Sequence, residues 1–397
     1  MTRILVLGAS RLQMPALIRA REMGFETAVA DYNPRAEGIP LADSFYEVST
    51  VDEKGVYEAA KDFHADGIVT LATDMPMRAL AYACERLGLA GLSYDAALRA
   101  TDKALMIRAF EEHGIAHPAY AVVKRSLNAD ALSFNYPAVI KPVDSSGSRG
   151  VCQVNNCEEL QNELDCTLSF SSVGKAIIEE LMVGPEVSVE VVVIHGIPHV
   201  IQVTDKTTTG APHFVETGHT QPSCLSESSL DAIRDLAGRA ALAVGIEHGP
   251  AHAEIVNTLE GPKLVEIGAR LGGDCITTHL VPLSTGVDMV EAAIRCSLGE
   301  TPSVEPKWSR GSAIRFLSAS RGVVEGFFGA DEARSMKGVS EVVINCAVGD
   351  CLSEITSSVT RPGYVIASGS SSSEAAECCD AAKRIIRIKT RQEDQCR

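Results

Sequence analysis

Over its first hundred residues the chain alternates short apolar runs with helical patterns, and few folds accept that alternation. Residues 4–7, 27–30 and 68–71 read as strands, while 12–23, the stretch near 56–63 and 77–87 carry helical spacing. Strand, helix, strand in this rhythm predicts a parallel, doubly wound α/β sheet. Gly8-Ala9-Ser10 follows the first strand where a phosphate-binding turn would sit, and Asp31 closes the second as a ribose-binding acid would. A dinucleotide turn needs G-x-G-x-x-G for close backbone approach, yet Ser10 and Gln13 stand at the second and third glycine positions. A nicotinamide cofactor is therefore not expected.

From Thr101-Asp102-Lys103 the pattern changes. A capping residue opens a helix over 104–113 and Gly114 ends it at the C′ position. Strands are predicted at 138–141, 176–180 and 186–194, the last turning through His195-Gly196-Ile197-Pro198 into an antiparallel partner at 200–204. A helix over 230–244, strands at 251–257 and 263–267, and a helix over 287–298 follow. Residues 300–310, with Pro302 and Pro306, read as a linker. Beyond it come strands at 312–317 and 339–347 and a helix over 374–388. The serine run 370–373 resembles a phosphate loop only in composition, since Ser371 with Glu374 three residues on is a capping box.

The net charge of −16 argues against a nucleic-acid or anionic-membrane binder, either of which needs a basic surface. No apolar run approaches the roughly 20 residues of a membrane span, and the N-terminal residues lack the apolar core of a signal peptide. The expected location is cytoplasmic. Twelve cysteines without a CxxC pair are read as reduced thiols, mostly filling cores.

Chemistry concentrates in three places. In Val139-Ile140-Lys141-Pro142-Val143-Asp144-Ser145-Ser146-Gly147-Ser148-Arg149-Gly150 a strand ends in a lysine, a proline breaks the ladder, and a small hydroxyl-rich turn follows. Such a turn can fold its N–H groups over phosphate oxygens with Lys141 beneath, although a mobile hairpin tip would read alike. In the segment 253–266, a five-residue loop 258–262 would set Asn257 opposite Lys263 and hence Glu254 opposite Glu266. Directly opposed carboxylates repel and need a cation; oxygen ligands at this spacing suit Mg²⁺, the competing reading being two glutamates on a solvated face. Arg270, four residues after Glu266 and before Gly272-Gly273, is placed to bind a phosphoryl group, unless it pairs with Asp274.

Residues 205–222 show neither helical nor strand period, and a polar loop of this length is expected to serve recognition. His213, Glu216 and His219 within it are candidate substrate contacts; the spacing would suit a metal triad on a helix, which the local Gly and Pro forbid. Arg315 is a further candidate at the same pocket. Cys275 is set aside as a nucleophile because Asp274 beside it opposes the thiolate.

The order of these parts, with Gly114-Ile115-Ala116-His117-Pro118 before them and Glu179-Glu180-Leu181-Met182-Val183-Gly184-Pro185-Glu186 between, resembles the ATP-grasp superfamily from about residue 100 to 300. Gly338-Val339, Val348-Gly349-Asp350 and the run 361–367 resemble the last domain of the L-amino-acid ligase branch of carboxylate-amine ligases. The resemblance implies an α/β domain over 1–100, an ATP-grasp α+β domain over 101–305 with a mobile lid at about 120–185, and a small β-rich unit over 306–397. It implies that Lys103 and Lys141 reach ATP, that Ser145, Ser146, Gly147, Ser148 and Gly150 cover its phosphates, and that Glu179, Glu180 and Leu181 form the adenine-reading hinge. Glu186 would bind ribose, Glu254 and Glu266 would bind Mg²⁺ or Mn²⁺, and Arg270 would bind phosphate. Gly268 departs from the many relatives that carry a metal-binding Asn there.

The activity so implied is ATP-dependent ligation: a carboxylate is activated as an acyl phosphate and joined to an amine, releasing ADP and phosphate. Expected partners are small carboxylates and amines such as amino acids, with no nucleic acid and no membrane, and with room for a homodimer. Two alternatives use the same nucleotide residues: a carboxylase working through carboxyphosphate from bicarbonate, and a catalytically inactive nucleotide sensor.

Overall fold

Alternate residues of the first strand point to opposite faces and meet different helices. In the computed structural model, which describes residues 1–126, 132–147, 149–211 and 214–392, the N-terminal unit runs β1 (Arg3–Leu7), α1 (Met14–Glu22), β2 (Glu26–Asp31), β3 (Ser44–Glu47), α2 (Glu53–Phe63), β4 (Gly67–Val69) and α3 (Met77–Leu87). The strands pair in parallel in the order β3-β2-β1-β4. Ile4 and Val6 pack with Ala16, Leu17 and Ala20 of α1, whereas Leu5 and Leu7 pack with Val56 and Ala60 of α2 and Leu80 of α3. That is the doubly wound arrangement expected from the sequence. The third glycine position of a dinucleotide turn is filled by Gln13, whose buried amide grips both the N–H and the C=O of Leu71 at 2.7 and 2.5 Å.

Helix α4 (Tyr94–Thr101), which the sequence reading missed, leads into α5 (Lys103–His113). Asp102 caps α5 by accepting from the N–H groups of Ala104 and Leu105, and Gly114 closes it in the left-handed region at φ 63°. A four-stranded antiparallel sheet follows, built from β5 (Tyr120–Lys124), β6 (Ala138–Pro142), β7 (Cys152–Val154) and β8 (Lys175–Glu180), with α6 (Cys157–Ser169) against it.

The remaining strands merge into one sheet. β9 (Glu186–Ile194), β10 (Ile197–Thr208), β11 (Glu216–Gln221), β12 (Gly249–Thr258) and β13 (Gly261–Gly268) join β14 (Gly311–Phe316), β16 (Val339–Ile344) and β18 (Gly363–Gly369) in the order β13-β12-β9-β10-β11-β14-β18-β16. Along β9, Val187, Val189, Val191 and Val193 bury against α7 (Glu227–Ala243) through Leu230, Ile233 and Leu236, and Glu186, Ser188 and Glu190 alternate with them toward the other face. β15 (Gly322–Phe328), β17 (Cys351–Leu352) and β19 (Arg387–Arg391) form a separate three-stranded sheet. The helices α8 (Val281–Thr285) and α9 (Met289–Ser297) precede the linker, and α10 (Ala330–Arg334) and α11 (Ser372–Ile385) complete the last unit.

The structure departs from the sequence expectations at residues 205–222, at the last helix and among the cysteines. Residues 205–222 are mostly paired backbone: β10 runs to Thr208 and β11 begins at Glu216, with Asp205 opposite Thr220 and Lys206 opposite His219. Their polar side chains hid the strand period, because one face lines a polar cavity. The last helix stops at Ile385, and Arg387–Arg391 extends instead as a partner of β15. Among the described cysteines, Cys84, Cys296 and Cys379 are buried and seven other free ones are not, while Cys351, exposed on β17, is disulfide-bonded. The proposed capping box is present in part. Ser371 accepts from the N–H of Glu374, and Glu374 reaches back to the N–H of Ser370.

Candidate active site

A cavity of about 600 Å³ opens where the N-terminal unit, the small antiparallel sheet and the polar face of the large sheet meet. Lys103, Lys141, Ser145, Ser146, Gly147, Glu179, Glu180, Leu181, Glu186, Glu216, His219, Glu254, Glu266 and Arg270 all line it. Gly150 does not. It turns the chain at φ 72°, where a Cβ would stand 2.8 Å from Phe170. Arg315 does not line it either; its guanidinium is drawn to Asp380 at 2.9 Å and to the backbone of β11. Ser148 and His213 lie outside the described residues.

Glu254 does sit opposite Glu266, but by a different register from the one expected. The hairpin is tighter, with Thr258 opposite Gly261 and Asn257 opposite Pro262, and a bulge between Glu254 and Ile255 restores the offset. The bulge sends Leu264 into the core and leaves Val265 on the cavity wall.

The cations that the opposed carboxylates need are supplied by the chain itself. Lys103 Nζ donates to Glu266 at 3.0 Å and to the carbonyl of Ser145 at 2.8 Å, tying the hydroxyl-rich turn to β13. Lys206, which the sequence reading passed over, bridges Glu186 at 2.5 Å and Glu254 at 2.9 Å from a side chain only 5% exposed. Burial works against its charge, but Glu254 and Glu186 outweigh that and hold the ammonium well above its ordinary pKa. Lys141 and Glu179, both buried, pair at 2.7 Å.

Behind this row His252 Nδ1 donates to Glu190 at 2.6 Å, and its Nε2 stands 3.6 Å from Glu254. Burial lowers its pKa, yet Glu190 prevails and raises it to about 9. Glu190 also accepts from the N–H of Gly272, and a Cβ at Gly272 would fall 2.5 Å from that carboxylate, so this position is small because Glu190 and His252 fill its space. Arg270 pairs with Asp74, not Asp274. Asp274 is held by Arg361 of the last unit and lies 3.2 Å from His219. Arg361 in turn lies over the ring of Phe316 at 3.5 Å. Burial pushes the Cys275 thiol up to about 12, with Asp274 adding to the rise.

Asp74, Glu190, Lys206, His252 and Arg361 were not singled out in the sequence. The alternation Glu186-Val187-Ser188-Val189-Glu190 on β9 is the one local signal that could have found any of them. Among the described residues no group of three or more His, Cys, Asp or Glu is gathered as a metal cage. Two opposed carboxylates fit Mg²⁺, which is usually held by one or two carboxylates with substrate phosphates completing its shell. A side chain at position 268 would have to displace the Asp74–Arg270 pair, since a Cβ on Gly268 would stand 2.7 Å from Asp74 Oδ1 and 3.1 Å from Arg270 Nε.

Comparison with known proteins agrees with this architecture. Residues 134–278 of the chain match the ATP-grasp domain family. Its C-terminal unit, over 315–391, matches L-amino acid ligase C-terminal domain 2. The chain is 27% identical over 331 residues to uncharacterized protein y4rH of Sinorhizobium fredii, covering 82% of this chain and 66% of that one. It is 29% identical over 243 residues to alanine–anticapsin ligase of Bacillus subtilis strain 168, covering 55% and 51%. It thus spans between half and two thirds of these curated relatives. The crystal structure of L-amino acid ligase from Bacillus licheniformis superposes with a TM-score of 0.86 over 99% of both chains at 22% identity, which shows the shared fold.

Proposed function

We propose that the protein is an ATP-dependent carbon–nitrogen ligase that activates a small carboxylate, such as an amino acid, as an acyl phosphate and joins it to an amine. The observation that carries this reading is the convergence on one cavity of Lys103, Lys141, Glu254, Glu266 and Arg270 from separate elements. A carboxylate is a poor electrophile because oxide is not expelled; transfer of the γ-phosphoryl group of ATP gives it a leaving group. The amine then attacks the acyl carbon and phosphate departs, leaving an amide, ADP and phosphate.

In this reading Lys141 and Lys103 bind the nucleotide, Ser145, Ser146 and Gly147 cover its phosphates, Glu179, Glu180 and Leu181 border the adenine and Glu186 holds the ribose. Mg²⁺, or Mn²⁺ in its place, held by Glu254 and Glu266, would supply charge stabilisation to the phosphates. Arg270 faces the transferred group with a fork already oriented by Asp74. Glu216 and His219 border the part of the cavity closed by Ser358 and Val359 of the C-terminal unit, which suits them to the carboxylate or amine substrate.

The test is ADP and phosphate release in the presence of ATP–Mg²⁺ with amino-acid pairs, compared with bicarbonate alone. Amide product with stoichiometric phosphate supports the ligase; release with bicarbonate alone would instead make the protein a carboxylase, and no turnover with nucleotide binding retained would make it a sensor.

A further inference from the structure

Both carboxylate oxygens of Glu254 already face nitrogen atoms of the protein. Lys206 Nζ lies 2.9 Å from Oε2 and His252 Nε2 lies 3.6 Å from Oε1. Lys206 is the tighter partner, and it is also held by Glu186. A divalent cation binds a carboxylate oxygen at about 2.0 to 2.1 Å. With the ammonium still 2.9 Å from that oxygen, metal and ammonium could be separated by no more than the two distances laid end to end, about 5 Å. Two cations that near inside a protein repel strongly. A metal on Glu254 Oε2 would therefore compete with Lys206 for that oxygen, and Lys206, 5% exposed on the cavity wall, can leave it only toward the cavity.

We propose that Lys206 is the metal's place-holder: it occupies Glu254 in the ligand-free site, keeps free divalent cations out, and leaves only when nucleotide phosphate offers it another anion. This rests on the reading of the site as a metal–nucleotide site and adds how the two ligands are coupled. The cavity supplies the geometry. Lys206, Glu254, Glu266, Lys103 and Lys141 share one wall, so an ammonium swinging off Glu254 meets whatever phosphate the other two lysines hold. Lys206 is a positioning residue here, acting through Glu254, and the consequence is that metal and nucleotide enter together.

The test is Mn²⁺ binding to the full chain, read by electron paramagnetic resonance of free Mn²⁺. Without nucleotide the wild type should bind Mn²⁺ weakly. Lys206→Met should then bind it roughly tenfold tighter or more, the usual size of a coupling between two ligands. Adding Glu254→Gln to that variant should remove the gain, and Lys206→Arg should retain the wild-type block. Equal Mn²⁺ affinity in folded wild type and Lys206→Met overturns the proposal, as does tight Mn²⁺ binding by the wild type alone, an outcome that needs no variant to fold. Lys206→Gln, which keeps hydrogen bonds to both glutamates, serves should the methionine variant be unstable. If the wild type binds no Mn²⁺ even with a non-hydrolysable ATP analogue, the metal–nucleotide reading itself falls. If it binds with the analogue and Lys206→Met gains nothing, only the place-holder falls.

Discussion

Asp74 and Arg270, 196 residues apart in the chain, meet through two hydrogen bonds of 2.9 and 3.2 Å. The N-terminal unit thereby orients the guanidinium that the large sheet brings to the cavity. Burial opposes the charge on Asp74, but Arg270 keeps its carboxyl below the ordinary range. Asp74→Asn should lower kcat by about 10- to 100-fold, corresponding to the roughly 1.5 to 3 kcal/mol of a charged hydrogen bond, with a smaller effect on the KM for ATP. Gly268→Asn should give the same phenotype by displacing the pair. Steady-state phosphate release measures both, and unchanged kcat in Asp74→Asn would make Asp74 scaffold.

Glu266→Gln should abolish turnover without unfolding the protein. The substitution conserves volume on a side chain 25% exposed, and removes one of the two carboxylate charges proposed for the metal. Thermal unfolding near that of the wild type with no product at saturating Mg²⁺ is the expected pair of results. Normal turnover would reject the metal assignment.

Beyond the nucleotide contact proposed for it, Lys141 is one half of a buried ion pair. Its ion pair with Glu179 is buried, so Lys141→Ala strands a carboxylate in the interior and should cost about 3 to 5 kcal/mol of stability as well as ATP affinity. The double change Lys141→Met with Glu179→Gln should restore most of the stability and none of the ATP binding. Equilibrium unfolding in urea and nucleotide titration separate the two effects.

Asp274 gives the site a pH signature. Its burial favours the neutral form, but hydrogen bonds from His219 and Arg361 prevail and hold its carboxyl well below the usual range. A carboxyl depressed in the folded state stabilises above its unfolded value, about 3.9, and loses that contribution as pH falls toward the folded value. The urea midpoint should therefore drop more steeply between about pH 5 and pH 3 in the wild type than in Asp274→Asn. At pH 7 the variant should be less stable by about 1.5 to 3 kcal/mol, because the buried Arg361 loses its charged hydrogen bonds to Asp274 and keeps Glu216 only at 4.0 Å. Identical slopes would assign the acid sensitivity elsewhere.

Hydrogen exchange should distinguish a lid from a wall. Residues 216–221 pair with β10 on one side and β14 on the other, so their amides should be protected without ligand. Residues 144–147 have no strand partner and should exchange quickly until ATP–Mg²⁺ is added. Slow exchange at 144–147 in the free protein would remove this turn as a cover for phosphate.

Local patterns carried much of the fold. The Asp102 cap, the valine-rich β9 and the alternating faces of β1 all follow from residues near one another in sequence. The opposition of Glu254 and Glu266 was legible for a partly mistaken reason: a hairpin one step tighter than expected is offset by a bulge that no residue type announces. Segment 205–222 failed because a strand with a polar cavity on one side lacks the apolar alternation that betrays most strands. Asp74 and Arg361 were invisible for another reason. Each is a single charged residue whose meaning comes from a partner 196 or 87 positions away.

The run of strands from β13 to β16 also bears on how such a chain can evolve. The linker at 300–310 invites a cut, yet β14, just beyond it, is hydrogen-bonded to β11 along Gly218 to Gln221. A fragment ending at the linker would bare the N–H and C=O groups along that side of β11, an open edge ready to recruit strands from other molecules. Arg361 would go with the lost unit, leaving Asp274 without its guanidinium. A C-terminal unit exchanged at the linker must therefore bring both a strand that pairs with β11 in this register and a guanidinium for Asp274. An exchange that fails either condition leaves a bare strand edge on β11 or Asp274 without its guanidinium.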